Sequence, residues 1–221
     1  MGAERLDERM PVLVGCGQTV QKLKDPTKAK SPIDLMADVA ERAAEDTGLG
    51  KRLWGAVDNV TTVRFITDSP DAKGFPFGVY PNAPQSLANA LGITPRTTYY
   101  GPTGGNTPQL LINHTADLIQ RGESDVALIA GSECFASLMR AMGQGLMLDW
   151  HDDPGGNRID LGKESLGVSE HEKKHKLHFP VNAYPLFENA IRGQAGRDVA
   201  SHQLEIGKLM APFTKVAAHH P

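Results

Sequence analysis

Between residues 57 and 130 the chain alternates β-branched or apolar runs with helix-period segments, and this alternation restricts the fold more than any other feature. Val57, Val60, Thr61, Thr62, Val63, Phe65 and Ile66 read as a strand. Ser86 to Leu91 reads as a short helix, and Thr97 to Tyr100 as a second strand. Thr107 stands where a helix cap belongs, with Pro108 at the first helical position. Leu110, Leu111, His114, Leu118 and Ile119 then follow at helical spacing, and Gly122 stops the helix. Val126 to Ala130 is apolar throughout and reads as a central strand. Strands that alternate with helices imply an α/β fold, a mostly parallel sheet covered on both faces.

The flanks extend this pattern and then abandon it. Pro11 opens the run Val12-Leu13-Val14-Gly15, which reads as a buried strand. Ser31 is a good N-cap before Pro32, and Leu35, Met36, Val39, Ala40 and Ala43 recur at helical spacing up to Gly48. Asp68 to Pro84 is rich in proline and reads as a long surface loop. Beyond Cys134 the chain turns to Met, Gly, Asp, His and Lys, without strand runs as far as residue 180. Gly155-Gly156-Asn157 reads as a turn, and Tyr184 to Ala218 as helix with a break at Gly193 to Gly196. The expected organisation is an α/β layer over residues 1–134 and a helical, loop-rich excursion over 135–221.

Composition narrows the function classes. The 221 residues can bury a substantial core. With 23 Lys and Arg against 26 Asp and Glu, the net charge is −3, which removes the usual electrostatic case for nucleic acid binding. The two cysteines, Cys16 and Cys134, make no disulfide framework and no zinc-ribbon spacing. Met1 to Met10 is charged and lacks the apolar core of a signal peptide, and Leu6 stands where a myristoylation signal needs Ser or Thr. No apolar run approaches the roughly 18 residues of a membrane span. These features predict a reduced, cytoplasmic protein.

Three places could carry chemistry. From Gly101 to Gln109 a glycine-rich loop runs into a helix, so Gly104, Gly105 and Asn106 can offer backbone N–H groups to an anion, an oxyanion or a thiolate. The same glycines also serve as a plain strand-to-helix turn, and the loop is neither a Walker loop nor a dinucleotide fingerprint. His171-Glu172-Lys173-Lys174-His175 matches the zincin pattern in form, with His171 and His175 as ligands and Glu172 as base. Its two lysines repel a dication and it is polar all round, so a solvated turn is the plainer reading. Cys134 follows the strand ending at Ala130, where open α/β sheets place their sites, and could be a nucleophile or a small buried hydrophobe. Cys16, Trp54 and Trp150 read as packing.

Taken together, several segments resemble the thiolase superfamily, in its acetyl-CoA acetyltransferase-like branch related to sterol-carrier-protein-type thiolases. They are Pro11 to Thr19, Ser31 to Ala37, the helix over 106–121, Gly122-Glu-Ser-Asp-Val-Ala-Leu-Ile-Ala-Gly-Ser-Glu133 and Pro185-Leu-Phe-Glu-Asn-Ala190. The resemblance implies a layered thiolase-like fold with a loop-domain excursion, and acyl transfer on coenzyme A. Acyl-coenzyme A would then be the substrate, with no permanently bound cofactor. In the family a cysteine at the N-terminus of a central buried helix takes the acyl group, stabilised there as a thiolate. Family spacing counted back from Gly122 puts that position at Gly105; shifts of a few residues give Pro102, Thr103 or Asn106, and no shift gives cysteine. Thr103 and Thr107 are hydroxyl substitutes with no visible base. Glu133 and Cys134 would line the same end of the sheet, and a loop-domain histidine of the family would fall close to Asn182. The family's second half, with a catalytic histidine and a second cysteine, has no counterpart here, although His219-His220-Pro221 is similar to its Gly-His-Pro. The last strand of the first half is missing too, which implies an open sheet edge and either a homodimer or a partner chain supplying the second half. The implied activity is acetyltransferase-like, with a non-catalytic acyl-coenzyme A-binding or scaffold subunit, and a zinc hydrolase, as the alternatives.

Overall fold

The structure is a computed structural model that describes residues 7–69, 79–162 and 167–219. The chain divides into two compact units, residues 1–164 and 165–221. The compositional change at residue 135 falls inside the first unit, at the start of a helix.

The first unit is built on four parallel strands. They are β1 (Asn59–Thr62), β2 (Thr97–Tyr100), β3 (Ala127–Ala130) and β4 (Ile159–Asp160), in the order β3-β1-β2-β4. β1 pairs in register with both neighbours, Val60 opposite Thr98 on one side and Leu128 on the other. All four β1 residues are buried, so the sheet is covered on both faces at its centre. Parallel neighbours need crossovers, which helices supply here as the sequence reading requires. Helix α1 (Pro32–Asp46) starts at a capping box: Asp34 N–H donates to Ser31 Oγ at 3.1 Å, and Ser31 N–H returns to Asp34 Oδ2 at 3.2 Å. Gly48, at φ +76°, follows its C-cap. Helix α2 (Ala83–Leu91) ends on Gly92 in the left-handed region, and α3 (Thr107–Gln120) buries Thr107, Leu111, Thr115 and Leu118 on one stripe. Met36 of α1, Leu87 of α2, Val60 of β1, Tyr100 of β2 and Phe65 make up the centre of the core, none more than 1% exposed.

Three elements depart from the sequence reading. β4 is a strand where none is expected, because its two residues carry no apolar pattern and rely on β2 alone. β3 is an edge strand, not a central one; an apolar run reports burial and does not name the neighbour that provides it. Val12 to Gly15 forms no strand: Val12, Leu13 and Val14 are 69%, 88% and 59% exposed. Residues 70–78, in the expected proline-rich loop, lie outside the described residues, as do Met1 to Leu6, His220 and Pro221.

The segment around Val12 is nonetheless held in place. Arg9 pairs with Asp125 at 2.6 Å, and Cys16 N–H donates to Asp46 Oδ2 of α1 at 3.0 Å. Gly15 and Gly17 lie so close to α1 that an added Cβ would stand 2.2 Å from the Ala43 and Val39 carbonyl oxygens respectively. Between this segment and β3 runs a groove of about 480 Å³, lined by Met10 to Val14, Ile112, Ile119, Val126 and Ile129. Val126 and Ala130 give their carbonyls to Asp58 and Val63 on the β1 side, at 2.9 and 3.0 Å. Strand alternation therefore turns the N–H and C=O groups of Ala127 and Ile129 towards the groove.

The second unit is helical: α4 (Phe135–Gly143) closes the layer of the first unit, and α5 (Glu170–Lys174), α6 (Pro180–Gln194) and α7 (Val199–His219) make up the second. Gly196, at φ +61°, turns the chain between α6 and α7, at the expected break. His202 Nε2 meets Glu188 Oε1 at 3.1 Å and ties the two helices together. Among the described residues no helix is long and apolar enough to cross a membrane.

Candidate functional site

Both glycine-loop and cysteine candidates sit beyond the C-terminal ends of β2 and β3, as the strand order places them. Gly101 N–H donates to Thr62 O at 2.8 Å, which anchors the loop to the end of β1. Gly104 O accepts from Thr107 N–H at 3.1 Å, closing the turn into α3. Thr107 is the first helical residue, not the cap; Asn106 holds the cap position and makes no side-chain capping bond. Gly105 is exposed, and a Cβ built on it meets no heavy atom within 4 Å. The helix behind it is half-exposed, with Leu110 and Ile112 at 41% and 51%.

Cys134 is 5% exposed and occupies the N-cap position of α4. Its thiol donates to Lys30 O at 3.7 Å. Burial pushes the thiol up to about 12, with Glu133 and Asp34 adding to the shift. A helix N-terminus favours a thiolate, but here loss of water outweighs it. Cys134 and Glu133 share a pocket of about 340 Å³ with Gln21, Leu35, Val39 and Ser137. The Gly104 to Asn106 loop does not line that pocket.

The sequence reading missed the polar cluster beside this loop. Tyr100 Oη donates to Asp68 Oδ2 at 2.6 Å, and Tyr80 N–H donates to Asp68 Oδ1 at 3.1 Å. The Arg64 guanidinium lies 4.1 Å from the Tyr100 ring centre and pairs with Asp160 at 2.6 Å. Arg158 reaches the same carboxylate at 3.0 Å. Glu133 is exposed as a residue, and its Oε1 accepts from Ile66 N–H at 2.8 Å. The signal that could have found this cluster is the tyrosine closing a strand, whose hydroxyl needs a buried partner.

Desolvation raises both Asp68 and Glu133 above the usual carboxylate range, against the bonds from Tyr100, Tyr80 and Ile66. A carboxyl raised by folding contributes stability that is complete below its unfolded pKa and is lost as pH rises through its folded pKa. The double variant Asp68→Asn, Glu133→Gln carries no charge; it keeps an acceptor for Tyr80 N–H and one for Ile66 N–H, and its Asn amide N–H can donate to the Tyr100 hydroxyl. Its Tm is expected to equal the parent's near pH 3 and to exceed it increasingly up to pH 7; thermal melts across that range check the sign.

The histidine motif has a structural occupation. Glu172 Oε2 accepts from Ser169 N–H and Ser169 Oγ, both at 2.7 Å, and Ser169 Oγ caps Glu172 N–H at 3.2 Å. Those bonds, led by Ser169 N–H, hold the Glu172 carboxyl below its usual range. The His171 and His175 rings lie 4.9 Å apart, and the described residues hold no group of three metal-ligating side chains. Ser169-x-x-Glu172 is a capping box legible in the sequence. In the second unit, Asn182 Nδ2 donates to Lys176 O at 2.8 Å, which fixes the turn before α6.

No family model and no curated protein matches the chain. Among solved structures it is similar to a monomeric SCP2-thiolase-like protein from Mycobacterium smegmatis. The two share 28% identity with a TM-score of 0.66, over 97% of this chain. The chain is thiolase-like. The match embraces the parallel sheet, the helices that cover it and the helical excursion, as the sequence resemblance implies. This thiolase-like chain spans 36% of the length of the solved chain.

Proposed function

We propose that this chain is a thiolase-like, acyl-coenzyme A-binding unit that does not itself carry the acyl group covalently. The state of Cys134 supports this reading above all: its thiol is buried, bonded to a backbone carbonyl and raised to about 12. At neutral pH a negligible fraction is thiolate, and the thiolate is the nucleophile. At position 105, where the resemblance puts the acyl-bearing cysteine, stands glycine. Gly104, Gly105 and Asn106 would still present the α3 N-terminus to an acyl oxygen.

The open groove beside β3 favours completion by a partner chain over a simple homodimer. Among the described residues Ala127 and Ile129 have no backbone partner on one side, and segment 11–14 lines the other.

Incubation of the purified chain with acetyl-coenzyme A, followed by intact-mass measurement and peptide mapping, tests the reading. Expected is saturable coenzyme A binding by calorimetry with no acetyl adduct on Cys134. An adduct on Cys134 that disappears in Cys134→Ala would overturn it and assign covalent acyl transfer to this chain.

A further inference from the structure

The second unit carries two long helices and almost no interior of its own. Among its described residues only His202 is buried. Yet α7 repeats one spacing along most of its length: Val199, His202, Ile206, Leu209, Phe213 and Val216 follow one another at alternate steps of three and four residues. That is the heptad spacing of a helix seam, a narrow stripe that packs against a second helix at a shallow angle.

The first half of the seam is used inside the unit. His202 is 6% exposed and its Nε2 meets Glu188 of α6, and Ile206 is half-buried. The second half is bare: Leu209, Phe213 and Val216 are 63%, 67% and 62% exposed. On α6, Tyr184, Phe187 and Ile191 repeat the spacing and are 68%, 65% and 51% exposed. At those exposures the six side chains offer on the order of 800 Å² of apolar surface, the share that one partner gives to a standard stable interface. A helix must bury its apolar stripe against another element, and two such hairpins supply the four helices of a bundle.

We propose that two copies of this chain pair through their second units, the bare half-seam of α7 and the α6 stripe of each copy closing on those of the other. A two-fold pair is self-complementary, so each residue of the patch is used twice. The pairing involves the second unit alone and is independent of what fills the groove beside β3. Leu204 supplies an internal control. It lies on the same helix and is 67% exposed, as Phe213 is, but the heptad spacing puts it on the face opposite the seam.

The test follows the full chain by sedimentation equilibrium from about 1 μM to about 100 μM, a range in which interfaces of this size associate. Expected is a reversible monomer–dimer equilibrium. Phe213→Glu should raise its dissociation constant at least about tenfold, because pairing would bury an unpaired charge. Val216→Glu, one turn further along the seam, should do the same, and Leu204→Glu should change it by less than about twofold. The helix content of each variant is read alongside by circular dichroism. A monomer at every concentration would overturn the assignment. So would a dimer that Phe213→Glu and Val216→Glu leave intact, or one that Leu204→Glu weakens as much as they do.

Discussion

A cysteine introduced at position 105 is expected to react with a disulfide reagent about a hundred-fold faster than Cys134. The introduced thiol would stand at the uncapped N-terminus of α3, in open space. The helix end lowers its pKa towards neutrality, whereas burial holds Cys134 at about 12. The thiolate fractions then differ by more than a thousand-fold, and the lower nucleophilicity of the more acidic thiol takes back part of that. Cys16 is exposed, so the comparison is made in a Cys16→Ser background. The same Gly105→Cys chain should acquire an acetyl group from acetyl-coenzyme A. If its thiol reacts with the reagent but never with acetyl-coenzyme A, the α3 N-terminus is not an acyl site.

Met36→Ala is the second large effect. Met36 is fully buried in the cluster that holds Leu87, Val60 and Phe65, so its loss opens a cavity in the core. The expected cost is about 2–5 kcal/mol, a large part of the roughly 5–15 kcal/mol available to a domain. Urea unfolding measures it as a lowered midpoint. Leu186→Ala, at a side chain 58% exposed, should change stability by no more than about 0.5 kcal/mol. A Met36→Ala change as small as that would mean that the core is not where the structure puts it.

What could be read from sequence was local. Ser31, Pro32 and Gly48 bound α1 because caps and glycine stops act on adjacent backbone. Thr97 to Tyr100 is a strand by composition and is one in the structure. Partners across the sheet were not legible. Val126 to Ala130 has the look of a central strand, and only the topology reveals that one of its sides is open. Val12 to Gly15 has strand composition, but a strand needs a neighbour to bond. At the candidate site, Gly105 and Cys134 were nameable as positions. The thiol's state was not, because it depends on burial beneath groups distant in the chain, such as Lys30 O, 104 residues away, and on the Asp34 charge. The Tyr100–Asp68–Arg64–Asp160 cluster likewise joins residues from three separate stretches.

The open side of β3 also has a kinetic consequence. Ala127 and Ile129 turn backbone groups that have no partner among the described residues towards an apolar groove. No lysine, proline or charged residue interrupts residues 126–130. Two copies that meet along this side can spend those groups on each other. Loss of dispersed chain should therefore follow second-order kinetics, with a half-life that halves whenever the concentration doubles.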